Sequence, residues 1–370
     1  MRIGIVGARG MSLPGRTFGG FETFITGLAP RLAARGHEVT VYARKYLYPK
    51  HPAEYQGVRL RWLPALEGKV LGTPTHTLLA MLDAAWRKFD AMLVVNPGNG
   101  LHCLVPRLLT RTRLAMNVDG VEWERGKWGH VGRWYFRAAA RASTKICHVI
   151  VGDSQAIADL YRREFGSSAV FIPYAFEPRE PGDASRVRRL GLEPRGYYLL
   201  VGRLIPENNI DFIVEEFASG ASQRLLVVVG GTNYRSAFHR RLASFASRGV
   251  RFLGHIDDME LLWDLYGHAY AYVHGHSVGG TNPALLQAMA TATCPVVFDV
   301  VFNREVVGDA GIPFTRQPGN LRAVVNSLDG DPTRVACLGQ AARRRLVEHY
   351  SWERVVPAYE LVLSGSLSPT

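Results

Sequence analysis

The chain has 370 residues, of which 47% are hydrophobic and 21% are charged. This length exceeds the size at which one hydrophobic core keeps growing, so we expect two domains. No run of about 18 apolar residues occurs, so no transmembrane helix is predicted, and the N-terminus lacks the regions of a signal peptide. Four scattered cysteines without a CxxC pair indicate a reducing compartment and neither disulfides nor structural zinc. We therefore expect a cytoplasmic protein.

The net charge of +12 is unevenly distributed along the chain. Residues 1–175 contain 24 Lys and Arg against 12 Asp and Glu, whereas residues 176–370 contain 20 of each class. A solvated basic surface accounts for this excess, and so does contact of the first half with an anionic membrane or a phosphate-bearing substrate. No recognised nucleic-acid motif accompanies the charge, so nucleic acid is not an expected partner.

Strands and helices are predicted to alternate through the first half. Short apolar runs alternate with segments of helical spacing, and Gly, Pro or Asp-Gly ends several of them. Strands are predicted at 2–7, 38–44, 57–64, 91–98, 113–120 and 147–154, and helices at 21–35, 76–89 and 130–145. Repeated strand–helix units predict a parallel, doubly wound sheet.

The alternation restarts after residues 177–196, a segment rich in Pro, Gly and charge that we interpret as a linker. Strands are predicted at 197–203, 224–231, 251–256, 269–275 and 294–300, and helices at about 209–218, 234–247, 258–267, 282–291 and 318–328. The predicted fold is α/β, with two Rossmann-like doubly wound parallel-sheet domains, 1–176 and 197–349, facing a cleft. A last helix at 350–365 is expected to pack back toward the first domain. A cleft of this kind holds two substrates, which favours a transferase.

Two glycine-rich segments near the N-terminus differ in what they predict. GIVGARG (4–10) has the spacing G-x-x-G-x-x-G and a long loop follows it, so a nicotinamide dinucleotide is not favoured. In FGGFETF (18–24), Gly19 and Gly20 precede a helix whose free N–H groups and positive dipole end suit a phosphate. The alternative is an ordinary turn from a loop into a helix.

Two motifs in the second half follow the ends of strands. VGRLIPENN (201–209) places Arg203 just past a strand, where a guanidinium can bind two oxygens of a diphosphate. The alternative is a surface ion pair between Arg203 and Glu207. In FLGHIDD (252–258) the strand ends at Gly254 and His255 follows, and main-chain groups at this turn can contact the edge of a base.

SVGGTNPALLQAM (277–289) has the pattern of a glycine turn that leads into a helix. Gly279 and Gly280 form the turn, Thr281 or Asn282 can cap the helix, and a proline suits its first position. Amide groups at the helix start would then face an anion, and Gln287 is expected on the cleft side. The alternative is a capped helix with a purely structural role.

The segment 117–145 is dense in polar and aromatic residues, which suit a sugar acceptor. Asp119 ends a strand, and the following loop carries charged and aromatic side chains, namely Glu122, Trp123, Glu124, Arg125, Lys127 and Trp128. A basic stripe then recurs at every fourth residue of a helix, at Arg133, Arg137, Arg141 and Lys145. The stripe is either a solvated face or a contact with a membrane surface or a lipid pyrophosphate.

These motifs resemble those of the family 4 retaining glycosyltransferases of the GT-B fold, and the resemblance runs nearly end to end. Within that family the chain is most similar to a bacterial branch of polysaccharide rhamnosyltransferases, which is marked by GGFETF, VDGVEWERGKWG, PENN and GGTNP. The resemblance implies an N-terminal acceptor domain and a C-terminal domain that binds a dTDP- or UDP-linked sugar. It implies neither a cofactor nor a metal ion.

The resemblance also implies roles for the matching positions. Asp119, at the reacting sugar, and Arg203, at the diphosphate, are the expected catalytic residues. The donor phosphates are expected to contact Gly19, Gly20, Arg203, Asn208, Gly280, Thr281 and Asn282. The nucleoside is expected near Gly254, His255 and Gln287. The acceptor is expected at Glu122, Trp123, Arg125, Lys127 and Trp128.

Three positions depart from the common family pattern. Gly279 and Gln287 replace glutamates at the two ends of a nine-residue motif, and Asn208 replaces a lysine. The glycine and the asparagine are typical of the GGTNP and PENN branch and indicate a different donor. Gln287 keeps one acceptor oxygen for the ribose hydroxyls but lacks the charge. Because charge-assisted hydrogen bonds are roughly twice as strong, we expect weaker nucleotide binding.

With neutral residues at 279 and 287, no carboxylate nucleophile is evident at the cleft. The resemblance implies front-face substitution that depends on positioning and on stabilisation of the leaving diphosphate. The expected activity is transfer of a deoxyhexose, rhamnose from dTDP-rhamnose, to a lipid-linked or polysaccharide acceptor at the inner face of the cell membrane. Two alternatives stay open: a non-catalytic GT-B protein that binds sugar nucleotides or glycans, and a sugar-nucleotide epimerase.

Overall fold

The computed structural model describes residues 1–14, 19–68, 71–124, 128–231, 237–246 and 249–367. The chain forms two compact units. The first consists of residues Met1–Ala175 together with Trp352–Thr370, and the second of Phe176–Ser351.

The first unit contains an eight-stranded sheet with the strand order β3-β4-β2-β1-β5-β6-β7-β8. Its strands are β1 (Arg2–Val6), β2 (Glu38–Arg44), β3 (Glu54–Tyr55), β4 (Val58–Leu63), β5 (Ala91–Val95), β6 (Arg113–Val118), β7 (Val149–Gly152) and β8 (Val170–Phe171). All neighbours pair in parallel except β3 and β4, which are antiparallel. Helices α1 to α5 belong to this unit: Gly20–Ala34, Gly72–Arg87, Leu104–Leu109, His130–Ile146 and Gln155–Phe165.

The second unit contains a six-stranded parallel sheet with the strand order β11-β10-β9-β12-β13-β14. Its strands are β9 (Tyr197–Val201), β10 (Leu225–Val229), β11 (Val250–Gly254), β12 (Ala271–His274), β13 (Cys294–Phe298) and β14 (Ile312–Phe314). Helices α6 to α13 span Ser185–Arg189, Ile210–Ala218, Ala237–Ala243, Met259–His268, Pro283–Ala290, Val301–Val307, Asn320–Asp329 and Pro332–His349. The last helix, α14 (Trp352–Ser364), belongs to the first unit.

The inner strands of both sheets are buried on both faces, because helices cover a doubly wound sheet on each side. In the first unit β5 consists of five apolar residues that are all buried. In the second unit the strand residues Leu200, Val228, Val273 and Val296 share one apolar core with residues of α7 and α12. The predicted fold class, two doubly wound parallel α/β domains, is confirmed.

The segment predicted as a linker is instead part of the second unit. Residues 177–196 include α6, and the carboxylate of Asp264 on α9 accepts hydrogen bonds from Gly182 N (2.8 Å) and Arg186 Nη1 (3.0 Å). Asp264 is almost completely buried. A buried carboxylate requires such partners, and these hydrogen bonds connect the segment to α9.

Helix α14 packs on the sheet of the first unit. Asn117 Nδ2, near the end of β6, donates to Tyr359 Oη at 2.6 Å, and Arg113 Nε donates to the carbonyl of Val362 at 2.8 Å. The ring of Phe24 on α1 stacks on Trp352. No helix in the described ranges is both long enough and apolar enough to span a bilayer.

Candidate active site

The predicted donor residues of the second unit lie at one edge of its sheet. All six strands are parallel, so their carboxyl ends share that edge. Arg203 comes two residues after β9, Gly254 ends β11, and the loop from Gly275 to Asn282 connects β12 with α10. This edge is the usual ligand side of an open parallel sheet.

Asn208 holds the loop that carries Arg203. Its Nδ2 donates to the main-chain carbonyl of Arg203 at 2.7 Å, and only 5% of the residue is exposed. The tight turn is also closed by Asn208 N, which donates to Ile205 O at 3.1 Å. The sequence predicts Asn208 as a phosphate contact, whereas its side-chain donor is directed at its own loop. A positioning role fits this geometry.

Asn209 connects the same turn to the loop after β12. It adopts a left-handed conformation with φ of 50°, its Nδ2 donates to Gly275 O at 2.8 Å, and its Oδ1 accepts from Arg316 Nη1 at 2.8 Å. A Cβ on Gly275 would clash with the carbonyl oxygen of Asn208, so only glycine permits this approach.

A second link between the two loops uses the main chain of Glu207. Ser277 N and Ser277 Oγ both donate to the carbonyl of Glu207, at 3.0 and 2.8 Å. The loop from Gly275 to Asn282 is also held by Asn303 Nδ2, which donates to the carbonyl of His276 at 2.9 Å. The four residues Pro206–Asn209 therefore connect two loops. One is the loop after β9 that carries Arg203, the arginine loop, and the other is the loop from Gly275 to Asn282, the glycine loop. The PENN string is visible in the sequence, but the connection that it makes between two loops is not.

The glycine loop leads into α10 as the sequence predicts, and the structure identifies the cap. Asn282 Oδ1 accepts from Ala284 N at 3.0 Å, and the amides of Leu285 and Leu286 donate to Asn282 O. The first amides of the helix are thus satisfied internally, so an anion here would face the amides of the preceding residues. Gly279, with φ of +147°, has a conformation that other residues rarely adopt.

Gln287 lies within the most buried part of the second unit. It is itself buried, and its neighbours Leu285, Leu286, Ala288 and Met289 are completely inaccessible. Helix α10 is therefore anchored by its apolar residues against α9, α13 and β13. This anchoring fixes the position of the glycine turn. The role of Gln287 toward a ribose stays a prediction.

The turn after β11 joins the same edge through the turn after β10. Gly254 has φ of +73°, and its carbonyl accepts a hydrogen bond from Gly230 N at 2.8 Å. The side chain of His255 is 60% exposed and its Nε2 lies 3.2 Å from Asp257 Oδ1. In the sheet β10 lies between β11, which His255 follows, and β9, which Arg203 follows.

Two histidines lie at the start of the glycine loop, since His274 ends β12 and His276 follows Gly275. The rings of His274 and His276 stack with their centroids 4.4 Å apart, and Tyr272 Oη lies 3.0 Å from His274 Nδ1. Complete burial, and secondarily the neighbouring His276, lowers the pKa of His274 well below its ordinary range. His274 is therefore neutral, and its ring packs against that of His276 at the start of the glycine loop.

In the first unit, Gly19 and Gly20 begin α1, as predicted. Gly19 is its N-cap residue and supplies no side-chain cap. Glu22, in the first turn, is buried and accepts a hydrogen bond from Arg9 N at 2.9 Å. A carboxylate at this position stabilises the positive end of the helix. Its negative charge also disfavours a phosphate at the same helix start.

Asp119 directly follows β6. The neighbouring strand β7 ends at Gly152, directly before Asp153. Asp119 Oδ2 accepts a hydrogen bond from Tyr174 Oη at 3.2 Å. Burial, followed by the charges of Asp119 and Asp153, raises the pKa of Tyr174 well above its ordinary value. Tyr174 is therefore a permanent donor that orients Asp119, whose position at a reacting sugar stays a prediction.

The predicted acceptor loop is partly an internal structure. Trp123 is only 9% exposed and packs against Tyr161 and Phe165, with ring centroids 6.4 and 5.8 Å away. Its ring therefore packs within the first unit, and a contact of this residue with an acceptor stays a prediction. Glu122 is also buried and accepts a hydrogen bond from Trp128 Nε1 at 3.1 Å. Arg125 and Lys127 lie outside the described residues.

The predicted basic stripe occupies the solvent-facing side of α4. Its members are exposed and lie at every fourth residue: Arg133, Arg137, Arg141 and Lys145. Arg137 forms an ion pair with Glu164 of α5 at 2.6 Å. Helix α4 contains no acidic residue.

Two family models match the chain. One, described as a "Glycosyl transferase 4-like domain", matches residues 19–175, and the other, "Glycosyl transferases group 1", matches residues 186–345. The matched ranges follow the two units of the structure, and together they contain all of the predicted site residues.

One curated relative is the "O-antigen chain mannosyltransferase B" of Escherichia coli. It is 26% identical over 202 residues, which cover 50% of this chain and 51% of the relative. The chain spans about half the length of the first curated relatives that it matches.

Solved structures show the same fold over nearly the whole chain. A sucrose-phosphate synthase from Thermosynechococcus elongatus has a TM-score of 0.80 at 16% identity, covering 99% of this chain and 98% of that chain. Anabaena HepE in complex with UDP and glucose has a TM-score of 0.79 at 16% identity, covering 98% of this chain and 99% of that chain. At such identities the likeness shows the fold alone.

Proposed function

The chain belongs to the family 4 glycosyltransferases of the GT-B fold, and on that premise we propose that it transfers a sugar from a nucleotide donor to a hydroxyl group of an acceptor. The second unit holds the donor, and the first unit provides the acceptor site. No cofactor takes part in this reaction.

The observation that carries the proposal is the connection of the arginine loop to the glycine loop. Asn208 holds the carbonyl of Arg203, and Asn209 and Glu207 hold Gly275 and Ser277. A diphosphate needs a guanidinium fork and a set of amides at a fixed separation. A pair of loops joined by hydrogen bonds supports such a preorganised site.

The proposed reaction is a front-face substitution with retention. The acceptor oxygen bonds to the anomeric carbon on the face from which the donor diphosphate departs. The bond between that carbon and the phosphate oxygen breaks, and the acceptor proton moves to the leaving oxygen. Arg203 and the amides of Gly280 to Asn282 stabilise the negative charge that develops on the diphosphate. Asp119, oriented by Tyr174, lies at the reacting sugar.

The proposed donor is a deoxyhexose nucleotide, dTDP-rhamnose, on the strength of the GGTNP and PENN strings. A second donor, GDP-mannose, is favoured by mannosyltransferase relatives, one of which, from Corynebacterium glutamicum, is named as GDP-mannose-dependent. HepE was solved with UDP, which makes UDP-glucose the third donor to compare. We place the acceptor glycan on a lipid carrier or a polysaccharide, and the protein at the inner face of the membrane, which its basic first half contacts.

The test is initial-rate measurement with purified protein and each of these three donors, following release of the nucleoside diphosphate and formation of the glycoside. Arg203→Ala is expected to lower the rate by about 10²-fold or more, as the loss of a charge-stabilising donor does elsewhere. Arg344→Ala, at an exposed arginine of α13 in the same unit, is the matched control and should retain the rate. Nucleotide binding without turnover would establish a non-catalytic binding protein, and epimerised donor without glycoside would establish an epimerase.

A further inference from the structure

The first unit exposes large apolar side chains on two neighbouring helical segments. On α2 the exposed residues are Leu78 (44%), Leu79 (40%), Leu82 (48%) and Trp86 (89%). On the 3-10 turn Pro97–Cys103 and the following α3, they are Leu101 (44%), Leu104 (42%), Leu108 (77%) and Leu109 (68%). We name these eight residues the leucine face. Helix α2 packs against both α3 and the turn, so the two rows are adjacent.

The exposed rows are regular. Residues 78, 82 and 86 lie four apart on α2, and residues 101, 104 and 108 lie three and four apart, so each row occupies one side of its helix. The opposite side of α2, with Ala80, Met81 and Ala84, is buried in the core. Helix α2 is therefore apolar on both sides, which is unusual for a helix that faces water. Apolar patches beyond a few hundred Å² on a monomer mark an interaction site.

Positive charge surrounds the leucine face. Arg87, Lys88, Arg107 and Arg111 are exposed at the ends of its helices. The only acid of α2, Asp83, forms ion pairs with Arg61 at 2.9 Å and Arg87 at 2.6 Å. The chain has no acidic residue between Asp90 and Asp119, and α4, which packs on the same 3-10 turn, has none either.

From this arrangement we infer that the leucine face inserts into the surface of an anionic lipid bilayer. Leucine and tryptophan side chains enter the boundary between headgroups and acyl chains, and the basic rim contacts the anionic headgroups. A second copy of the chain fits less well, because a two-fold contact through this face would bring two basic rims together. The inference deepens the proposed function. It rests on the proposed transfer to a lipid-linked acceptor, and it names the surface by which the protein would contact the membrane that carries this acceptor.

The experiment is co-sedimentation of the full chain with vesicles of phosphatidylcholine alone and of phosphatidylcholine mixed with phosphatidylglycerol. Wild type is expected to bind the anionic vesicles at least about tenfold more strongly, because each basic residue near the surface contributes several-fold. The double variant Leu82→Gln, Leu108→Gln should lose about tenfold or more of that binding, because it removes inserted apolar area. The double variant Arg107→Gln, Arg111→Gln should lose the preference for anionic lipid.

The matched control is Val347→Gln, Leu361→Gln, which changes two apolar residues of similar exposure on α13 and α14. It should bind vesicles like wild type, and all variants should retain the melting temperature. Equal binding by the Leu82, Leu108 variant and wild type, or no binding by wild type, would overturn the inference. A dimer seen in sedimentation velocity that dissociates in the Leu82, Leu108 variant would also overturn the inference. Glycosyl transfer to a water-soluble acceptor is measured in parallel: vesicle binding without transfer rejects the proposed function and leaves the membrane surface standing.

Discussion

Replacing Asn208 by alanine tests whether the PENN turn positions Arg203. The substitution removes the 2.7 Å hydrogen bond to the carbonyl of Arg203 at a site that is 95% shielded from water. The carbonyl keeps a second donor, Ile205 N at 2.9 Å, so the loss is that of one net hydrogen bond, about 0.5–1.5 kcal/mol. In a unit of this size 1 kcal/mol corresponds to about 2–4 °C, so the melting temperature should fall by about 1–6 °C. Displacement of the guanidinium by about 1 Å should lower the transfer rate by about 10²-fold.

The assay measures melting without nucleotide and the initial rate with saturating donor. Measuring melting without nucleotide separates the two roles, since a residue that only contacts phosphate would not change the stability of the free protein. Asn208→Asp keeps the size but replaces the donor by an acceptor, so it should destabilise at least as much as alanine. Asn326→Ala, at an exposed asparagine of α12 in the same unit, is the control and should change neither quantity. Unchanged melting of both Asn208 variants would refute the positioning role, and altered melting with a normal rate would separate the turn from catalysis.

Three further changes have defined outcomes. Gly275→Ala introduces a Cβ against the carbonyl of Asn208 and should destabilise by about 1–3 kcal/mol, measured by urea unfolding; wild-type stability would show that the loops are not closely packed. Gln287→Glu should lower the KM for the donor about fivefold, because charged hydrogen bonds exceed neutral ones by about 1 kcal/mol; a raised KM would place the ribose elsewhere. Burial, followed by the charge of Arg44, lowers the pKa of His76 to about 4 from its ordinary 6.5. His76 therefore stays neutral in the folded protein down to about pH 4, whereas it takes up a proton below pH 6.5 in the unfolded chain. The folded state is favoured fully above pH 6.5, and up to about 3 kcal/mol of stability is lost as the pH falls from 6.5 to 4. His76→Gln should flatten the unfolding free energy over that range, and an unchanged slope would contradict the assignment.

The sequence predicted most of the fold because strands that are buried on both sides of a parallel sheet appear as short, nearly continuous apolar runs. Strand 38–44 coincides with β2, and helix 282–291 overlaps α10. Helix α13 is not among the predicted helices, because its sequence is strongly polar and only the narrow row Val335, Gly339, Ala342 and Leu346 is buried. The strands β3, β8 and β14 were not predicted either, because each has two or three residues and carries too little periodicity to recognise.

Trp123 and the leucine face show the limit of residue type as a guide to exposure. An aromatic residue beside charges indicated a sugar-stacking loop, but the ring is buried and packs against Tyr161 and Phe165. The sequence predicted a helix at 76–89 but not that Leu78, Leu79 and Leu82 would face outward. Hydrophobicity sets the tendency to leave water, and the packing partner that a side chain meets decides whether it does so.

The sequence by itself determined the class of fold, the placement of a guanidinium after β9 and of a glycine turn before α10, because strand ends, caps and glycine conformations are local properties. Only the tertiary structure decided what the PENN residues do. Asn209 and Gly275 are 66 residues apart and meet because β9 and β12 are neighbours in the sheet. Hydrogen bonds between loops depend on strand order, which arises from the packing of the whole unit and from no segment alone.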